Sequence, residues 1–174
     1  MGFGYLWPNR FPMGERKLPY AVLPLTVIGI DMIIGTLPLA VLLVEMVVQA
    51  YAPSVDIDPL LAKNILWFFG HPVVYLLLFP AVALYYLLIP RYAGRPLVAG
   101  RIISLAWLIA VVANVVIWAH HIYLDWPEDS IQATLNTAMQ PLTFTITLVS
   151  ALSLYSLAAT MYRSKFDWNP ASRF

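Results

Sequence analysis

Four apolar segments, each longer than about 20 residues, constrain the fold of this chain more than any other feature. They predict helices over residues 21–50, 64–89, 102–123 and 132–162. Each helix is long enough to cross a hydrocarbon core of about 30 Å. Charged residues make up 11% of the chain, whereas soluble domains carry about a quarter. The sequence therefore predicts an all-α polytopic membrane protein, in which residues 1–174 form a single transmembrane domain of four helices.

Basic residues fall almost entirely at one end of the predicted bundle. Cytoplasmic flanks of membrane helices collect Lys and Arg, and acidic residues have little influence on orientation. Nine of the ten basic residues precede the first helix, flank the turn between the middle helices or follow the last helix, and Lys63 lies on the other side. The nine are Arg10, Arg16, Lys17, Arg91, Arg95, Arg101, Arg163, Lys165 and Arg173. We predict a multi-pass protein of the cell membrane with both termini in the cytoplasm.

The chain has three histidines and no cysteine, so a metal site would use imidazole or oxygen ligands. His71 lies about seven residues, or roughly 10 Å, into the second predicted helix. His120 and His121 lie near the end of the antiparallel third helix, which predicts a similar membrane depth for all three. Adjacent helical residues point about 100° apart, so these two can share one ion only between their directions or on a distorted helix. A metal centre and a structural role both stay open at this point.

Two tyrosines extend the possible site along the second helix. Tyr75 lies four residues after His71 and therefore on the same face, where its phenol would stand beside a bound metal. Tyr86 follows at nearly the same angle, about 16 Å further along the axis. That position suits a proton path toward the inner surface, and it equally suits an interfacial aromatic belt. Asp31 and Glu45 in the first helix have no role that spacing identifies.

Residues 67–75 read Trp-Phe-Phe-Gly-His-Pro-Val-Val-Tyr, and Trp118 lies two residues before His120-His121. This pattern closely resembles the copper-binding stretch of the haem-copper oxygen reductases, the family of the cytochrome c oxidase large subunit. The similarity extends from about residue 20 to residue 170 and corresponds to helices five to eight of a larger subunit. The resemblance implies a terminal respiratory oxidase, which reduces O₂ to water and couples this reaction to proton translocation.

The resemblance also implies the roles of individual residues. His71, His120 and His121 would bind the copper called CuB. Tyr75 would be covalently joined to His71 and would donate a proton and an electron when oxygen is cleaved. The family's haem ligands are histidines in other helices, so no axial haem ligand remains in this chain and the haem would be held by residues outside it.

A further correspondence concerns the proton path and the branch of the family. Some branches carry a lysine four residues after a proline in the eighth helix, and here Thr145 stands at that distance from Pro141. Thr145 together with Tyr86 resembles the tyrosine and threonine of the inward proton channel in B-family oxidases. The resemblance therefore implies a B-family-like chain.

The resemblance also implies partners for the chain. They are the remaining large-subunit helices or a partner chain with the haem ligands, oxidase subunit II with its electron-entry copper, cytochrome c or a similar donor, and membrane lipid, with no nucleic acid. The chain is expected to be a fragment or split part of a larger subunit, inactive alone. A nitric oxide reductase-like subunit, with iron in place of copper, is one alternative, although such proteins generally lack the cross-linked tyrosine. A non-catalytic membrane metal-binding bundle is the other, and it leaves Tyr75 beside His71 without a reason.

Overall fold

The computed structural model describes residues 19–122, 127 and 129–168, and it contains five α-helices and one 3₁₀ helix over these residues. They are α1 (Val22–Tyr51), α2 (Pro59–Val73), α3 (Tyr75–Ala93), α4 (Gly100–Val116), the 3₁₀ helix Ile117–Ile122, and α5 (Ile131–Met161). α2 with α3, and α4 with the 3₁₀ helix, each form one span, so four segments are long and apolar enough to cross a membrane. The predicted all-α fold with four membrane-spanning helices is confirmed.

The second span is longer than predicted, because it begins at Pro59 rather than at residue 64 and ends at Ala93 rather than at residue 89. The Asp58 carboxylate caps this end by accepting hydrogen bonds from the backbone N–H groups of Leu60 at 2.8 Å and Leu61 at 3.4 Å. Pro59 at the first helical position costs no hydrogen bond, since a backbone N–H at this position would have no partner within the helix. The other end of the span stops before Gly94, whose φ of +63° is the left-handed conformation that glycine adopts most easily. Local capping therefore sets both ends of this span.

Val74 interrupts the second span between α2 and α3. Pro72 has no N–H to bond to the carbonyl of Phe68, and its ring crowds that carbonyl. The N–H of Val74 bonds instead to the carbonyl of Pro72. The irregularity therefore falls inside the segment that joins His71 to Tyr75.

α1 and α2 approach each other closely at Gly35. A Cβ at this position would lie 3.2 Å from the Cα of Phe69 and 3.4 Å from the carbonyl oxygen of Phe68, so a side chain would push the helices apart. α4 supplies much of the core, including the fully buried Ile103 and Trp107. Many large apolar side chains remain exposed on the outer faces, as a membrane-embedded bundle allows; examples are Leu37, Val44, Leu77, Val112 and Leu154.

Arg95, in the turn between α3 and α4, holds the C-terminal end of α5. Its Nε donates a hydrogen bond to the carbonyl of Thr160 at 2.6 Å, and Nη2 donates to the carbonyls of Tyr162, at 2.6 Å, and Ala159. The last carbonyls of a helix lack intrahelical donors, and a cation there also interacts favourably with the helix dipole. One side chain therefore ties the middle turn to the last helix.

The same contact brings several basic residues to one end of the bundle. Arg163 and Lys165 follow α5 directly, and the backbone N–H of Asp167 bonds to the carbonyl of Tyr92 at 2.9 Å. The predicted clustering of basic residues thus holds for those that can be compared, and the side of the membrane on which they lie stays a prediction. Four of the nine, at positions 10, 16, 17 and 173, lie outside the described residues, as does Tyr123 at the predicted end of the third helix.

We expect Arg95→Ala to destabilise the folded bundle by about 1–3 kcal/mol, because the charged donors of the α5 carbonyls are lost. Thermal unfolding in a fixed detergent, with and without the substitution, measures this change. Arg91→Ala is the matched control, since Arg91 is exposed on the preceding turn and its loss should change stability by no more than about 0.5 kcal/mol. Equal effects of the two substitutions would contradict the role given to Arg95.

Candidate metal centre

The three histidines of the chain converge although fifty residues separate His71 from His121. Each of the three offers a ring nitrogen, and these atoms all lie within 4.8 Å of one another. The Nδ1 of His71 lies 3.3 Å from the Nε2 of His121, and the His120 and His121 ring centroids are 4.3 Å apart. His71 is 2% exposed, and the other two are partly exposed. The predicted common depth of the three imidazoles therefore corresponds to a real cluster.

This cluster has the chemistry of a cation site. Neutral imidazole has one donor and one acceptor nitrogen, so nitrogens that face each other need a proton or a metal ion between their lone pairs. The Nε2 of His71 is buried and has no hydrogen-bond partner among the residues that the structure describes. Imidazole ligands without a thiolate suit copper, zinc and iron. The residues thus fit a metal of this class.

The backbone around His120 and His121 departs from a regular α-helix, which is one of the two arrangements that would let adjacent residues share one ion. Residues 117–122 form a 3₁₀ helix at the end of α4, in place of regular α-helix. The Thr143 hydroxyl lies 3.4 Å from the Nδ1 of His120, and the Trp67 indole stacks on the His121 ring with centroids 4.0 Å apart and planes 6° apart. Such neighbours fix the orientation of metal-binding imidazoles. Sequence reasoning did not assign either neighbour to the site.

Tyr75 stands beside the cluster, as its spacing from His71 predicted. The two ring centroids are 5.2 Å apart with the planes at 81°. Tyr75 stacks on Phe79 with centroids 4.7 Å apart, and the Phe79 ring in turn packs edge-to-face against Trp107. The interruption at Val74 has therefore not separated the phenol from the imidazole. An aromatic series packs the phenol in place on the side away from the cluster.

Tyr86 and Thr145 are not joined by any contact in the described part of the chain. The Tyr86 hydroxyl donates a hydrogen bond to the Oγ of Ser153 at 2.7 Å and accepts one from the Trp107 indole N–H at 3.1 Å. The Thr145 hydroxyl donates to the carbonyl of Leu142 within its own helix. Ser153 is buried, and the sequence analysis assigned no role to it. The structure therefore adds Ser153 as the partner of Tyr86.

Asp31 and Glu45, to which the sequence assigned no role, lie in different surroundings. Asp31 is buried and pairs with Asn114 of α4, whereas Glu45 is exposed. No spacing rule connects Asp31 to Asn114, because they lie 83 residues apart. Their pairing depends on how α1 and α4 pack.

Known proteins match this chain over most of its length. Cytochrome c oxidase subunit 1 of Thermus thermophilus is 31% identical over 105 residues, covering 60% of this chain and 18% of that protein. Quinol oxidase subunit 1 of Sulfolobus acidocaldarius is 31% identical over 116 residues, 66% of this chain and 22% of that protein. Heme-copper oxidase subunit I+III of Aeropyrum pernix is 45% identical over 65 residues, 37% of this chain and 8% of that protein. The chain thus spans about a fifth or less of the length of these relatives.

The family comparison covers nearly all of the chain. Residues 5–174 match the family described as cytochrome c and quinol oxidase polypeptide I. This match includes all four membrane spans and all three clustered histidines. The chain is therefore a membrane protein that belongs to the cytochrome c and quinol oxidase polypeptide I family, the large subunits of the haem-copper terminal oxidases.

Proposed function

We propose that this chain forms the copper-binding part of a terminal respiratory oxidase that reduces O₂ to water and couples the reaction to proton translocation. The observation that carries the proposal is the convergence of His71, His120 and His121 within 4.8 Å, with Tyr75 beside them. Family membership supports the class of reaction. A three-imidazole cluster with an adjacent phenol is suited to holding copper next to a proton and electron donor.

The three histidines are the residues that would hold CuB. Copper, together with a haem whose ligands lie outside this chain, would supply the binding and reduction of O₂. Three imidazoles are a ligand set that would suit copper, and the burial of His71 would limit the access of water to the ligands. Trp67 and Thr143 would keep His121 and His120 in ligating orientations. The residues of this chain would therefore contribute the orientation of the ligands and the exclusion of water from them.

Tyr75 is proposed to donate a proton and an electron to the reaction. Its ring lies next to that of His71, and stacking on Phe79 restrains it there. The covalent bond between Tyr75 and His71 that the resemblance implies stays a prediction. Mass spectrometry of proteolytic peptides tests it. A peptide with the cross-link has a mass lower than that of the same peptide without it, by the mass of the hydrogens lost.

The assembly around the chain follows from what the chain itself contains. All three of its histidines are in the cluster, so axial haem ligands are expected in the remaining large-subunit helices or in a partner chain. Electrons would come from cytochrome c or a similar donor through oxidase subunit II. The basic end of the bundle would face the cytoplasm, with the protein in the cell membrane. Alone, the chain is expected to be inactive.

Protons are proposed to approach along α3 through Tyr86. Ser153 is its direct partner, and Thr145 is the residue that the B-family resemblance implies. We expect Tyr86→Phe and Ser153→Ala to slow oxygen turnover by similar factors, and Thr145→Val to slow it less. Oxygen consumption at saturating donor measures all three. A larger effect of Thr145→Val than of Ser153→Ala would favour the B-family arrangement over the hydrogen bond seen here.

Metal analysis and optical spectroscopy of the complete purified complex test the proposed function. We expect stoichiometric copper in addition to haem, and oxygen consumption that depends on both. Non-haem iron in place of copper, with turnover of nitric oxide, would show the reductase of the same superfamily. Metal binding without haem would show a non-catalytic membrane bundle.

A further inference from the structure

A carboxyl group and an amide from two different helices meet inside the bundle. Asp31 of α1 is 2% exposed and Asn114 of α4 is 1% exposed. The Nδ2 of Asn114 donates a hydrogen bond to the Oδ2 of Asp31 at 2.6 Å. The proposed oxidase chemistry uses neither residue. Buried ionisable groups within a membrane span usually serve a function, because burying them is costly.

The remaining oxygen atoms of the pair lack a donor. The Oδ1 of Asp31 and the Oδ1 of Asn114 are both buried, and neither has a hydrogen-bond partner among the described residues. An ionised carboxylate oxygen and an amide oxygen are both acceptors, so they cannot satisfy each other. An uncompensated carboxylate charge in apolar surroundings is more costly still. One proton, bound to Asp31, would remove both problems.

We propose that Asp31 and Asn114 form a proton-binding site in which Asp31 is a neutral carboxylic acid. A proton on Oδ1 would turn this atom into a donor, and the unpartnered amide oxygen of Asn114, whose Nδ2 already bonds to Asp31, would be its acceptor. Carboxylic acid and amide groups are planar, and each then presents one donor and one acceptor to the other. Two hydrogen bonds can join them, in place of the single one that an ionised Asp31 accepts.

A metal cation suits this pair less well than a proton does. Hard cations such as Ca²⁺ take about six to eight oxygen ligands. The crevice at the pair is otherwise lined largely by apolar side chains, namely those of Ile34, Phe68, Pro72 and Val115. One carboxyl and one amide in such surroundings can satisfy a proton, which needs only one donor and one acceptor atom. The observations therefore favour the proton.

The position of the pair connects it to the metal centre. The crevice that contains Asp31 and Asn114 is also lined by Pro72, the residue after His71. Tyr75 follows Pro72 by three residues in the same span, so the pair lies near the phenol. Loss or gain of the Asp31 proton would therefore change the charge felt at Tyr75. The proton site goes beyond the proposed oxidase function, because it needs no metal.

Infrared spectroscopy of the complete complex, in H₂O and in D₂O, tests the site. We expect a carbonyl stretch of a neutral carboxylic acid that moves to lower frequency in D₂O and is absent from Asp31→Asn. In Asn114→Ala the band should shift or disappear, because the amide partner is gone. Glu45→Gln is the matched control on the same helix, and it should leave the band unchanged because Glu45 is exposed.

Three results would overturn the proposal. They are a wild-type spectrum without an Asp31-dependent band, a band that is unchanged in Asn114→Ala, and a band that forms only after Na⁺ and K⁺ are removed, which would show a cation site. If Asp31→Asn fails to assemble, carbon-13 labelling of aspartate in the wild type and in Asn114→Ala shows whether the band comes from an aspartate that is sensitive to Asn114, and an unshifted band excludes Asp31. Copper and haem contents, measured in parallel, report on the oxidase proposal separately.

Discussion

His120→Ala is expected to abolish stoichiometric copper binding while the four helices remain inserted in the membrane. The substitution removes one of three clustered ligand nitrogens, and His120 is only partly buried, so its loss should leave the helix packing intact. Loss of an outer partner of a metal ligand costs about 10–100-fold in affinity, and loss of the ligand itself should cost more. Copper content per complex, together with the helical circular dichroism signal, measures both parts of this expectation.

Two further substitutions calibrate the His120 result. Thr143→Val removes the hydroxyl 3.4 Å from the Nδ1 of His120, and it should weaken copper binding by about 10–100-fold without abolishing it. Thr147→Val is the matched control on the same helix, where the side chain is exposed, and it should have no effect. Full copper occupancy in His120→Ala would show that the assigned ligand set is wrong.

Tyr75→Phe is expected to leave copper in place and to reduce oxygen turnover by about 10²–10⁴-fold, the usual contribution of a positioned proton donor. The substitution retains the ring, so its stacking on Phe79 should survive. Only the hydroxyl, and with it the transferable proton and the readily oxidised phenol, is lost. Oxygen consumption and copper content, measured on the same preparation, separate chemistry from assembly.

The control for this substitution lies on the same helix. Tyr85 is exposed, and Tyr85→Phe should leave turnover unchanged. If Tyr75→Phe also turned over oxygen at a near-normal rate, the phenol would not take part in the reaction, and the ring would have a packing role alone.

Local sequence features predicted the parts of the site that lie on one helix. Tyr75 was placed beside His71 by helical periodicity alone, and the rings are neighbours in the structure. The ends of the second span were predicted less well than those of the other three, because this span begins at Pro59 under the Asp58 cap and continues to Ala93. Hydrophobicity marks the part of a helix that lies in lipid, whereas capping groups extend it into the polar flank.

Contacts between helices were not predictable in the same way. Tyr86 could have met any of several hydroxyl residues in α5, and the packing of α3 on α5 selects Ser153. Asp31 had no visible partner until α1 and α4 packed together and brought Asn114 to it. The Thr145 hydroxyl, by contrast, bonds to a carbonyl of its own helix. Each of these outcomes depends on the rotation of one helix about its axis relative to another.

The four membrane-spanning segments, the similar level of the three histidines and the position of Tyr75 could be predicted from the sequence, because each depends on length, apolar content or the 3.6-residue repeat of one helix. The packing of the helices selects the side chains that pair across them: the 3.3 Å approach of His71 to His121, the bond from Tyr86 to Ser153, and the pairing of Asp31 with Asn114. The physical reason is that hydrophobic burial in lipid specifies that a segment spans the membrane, whereas close packing and hydrogen bonds between helices specify how it is rotated against its neighbours.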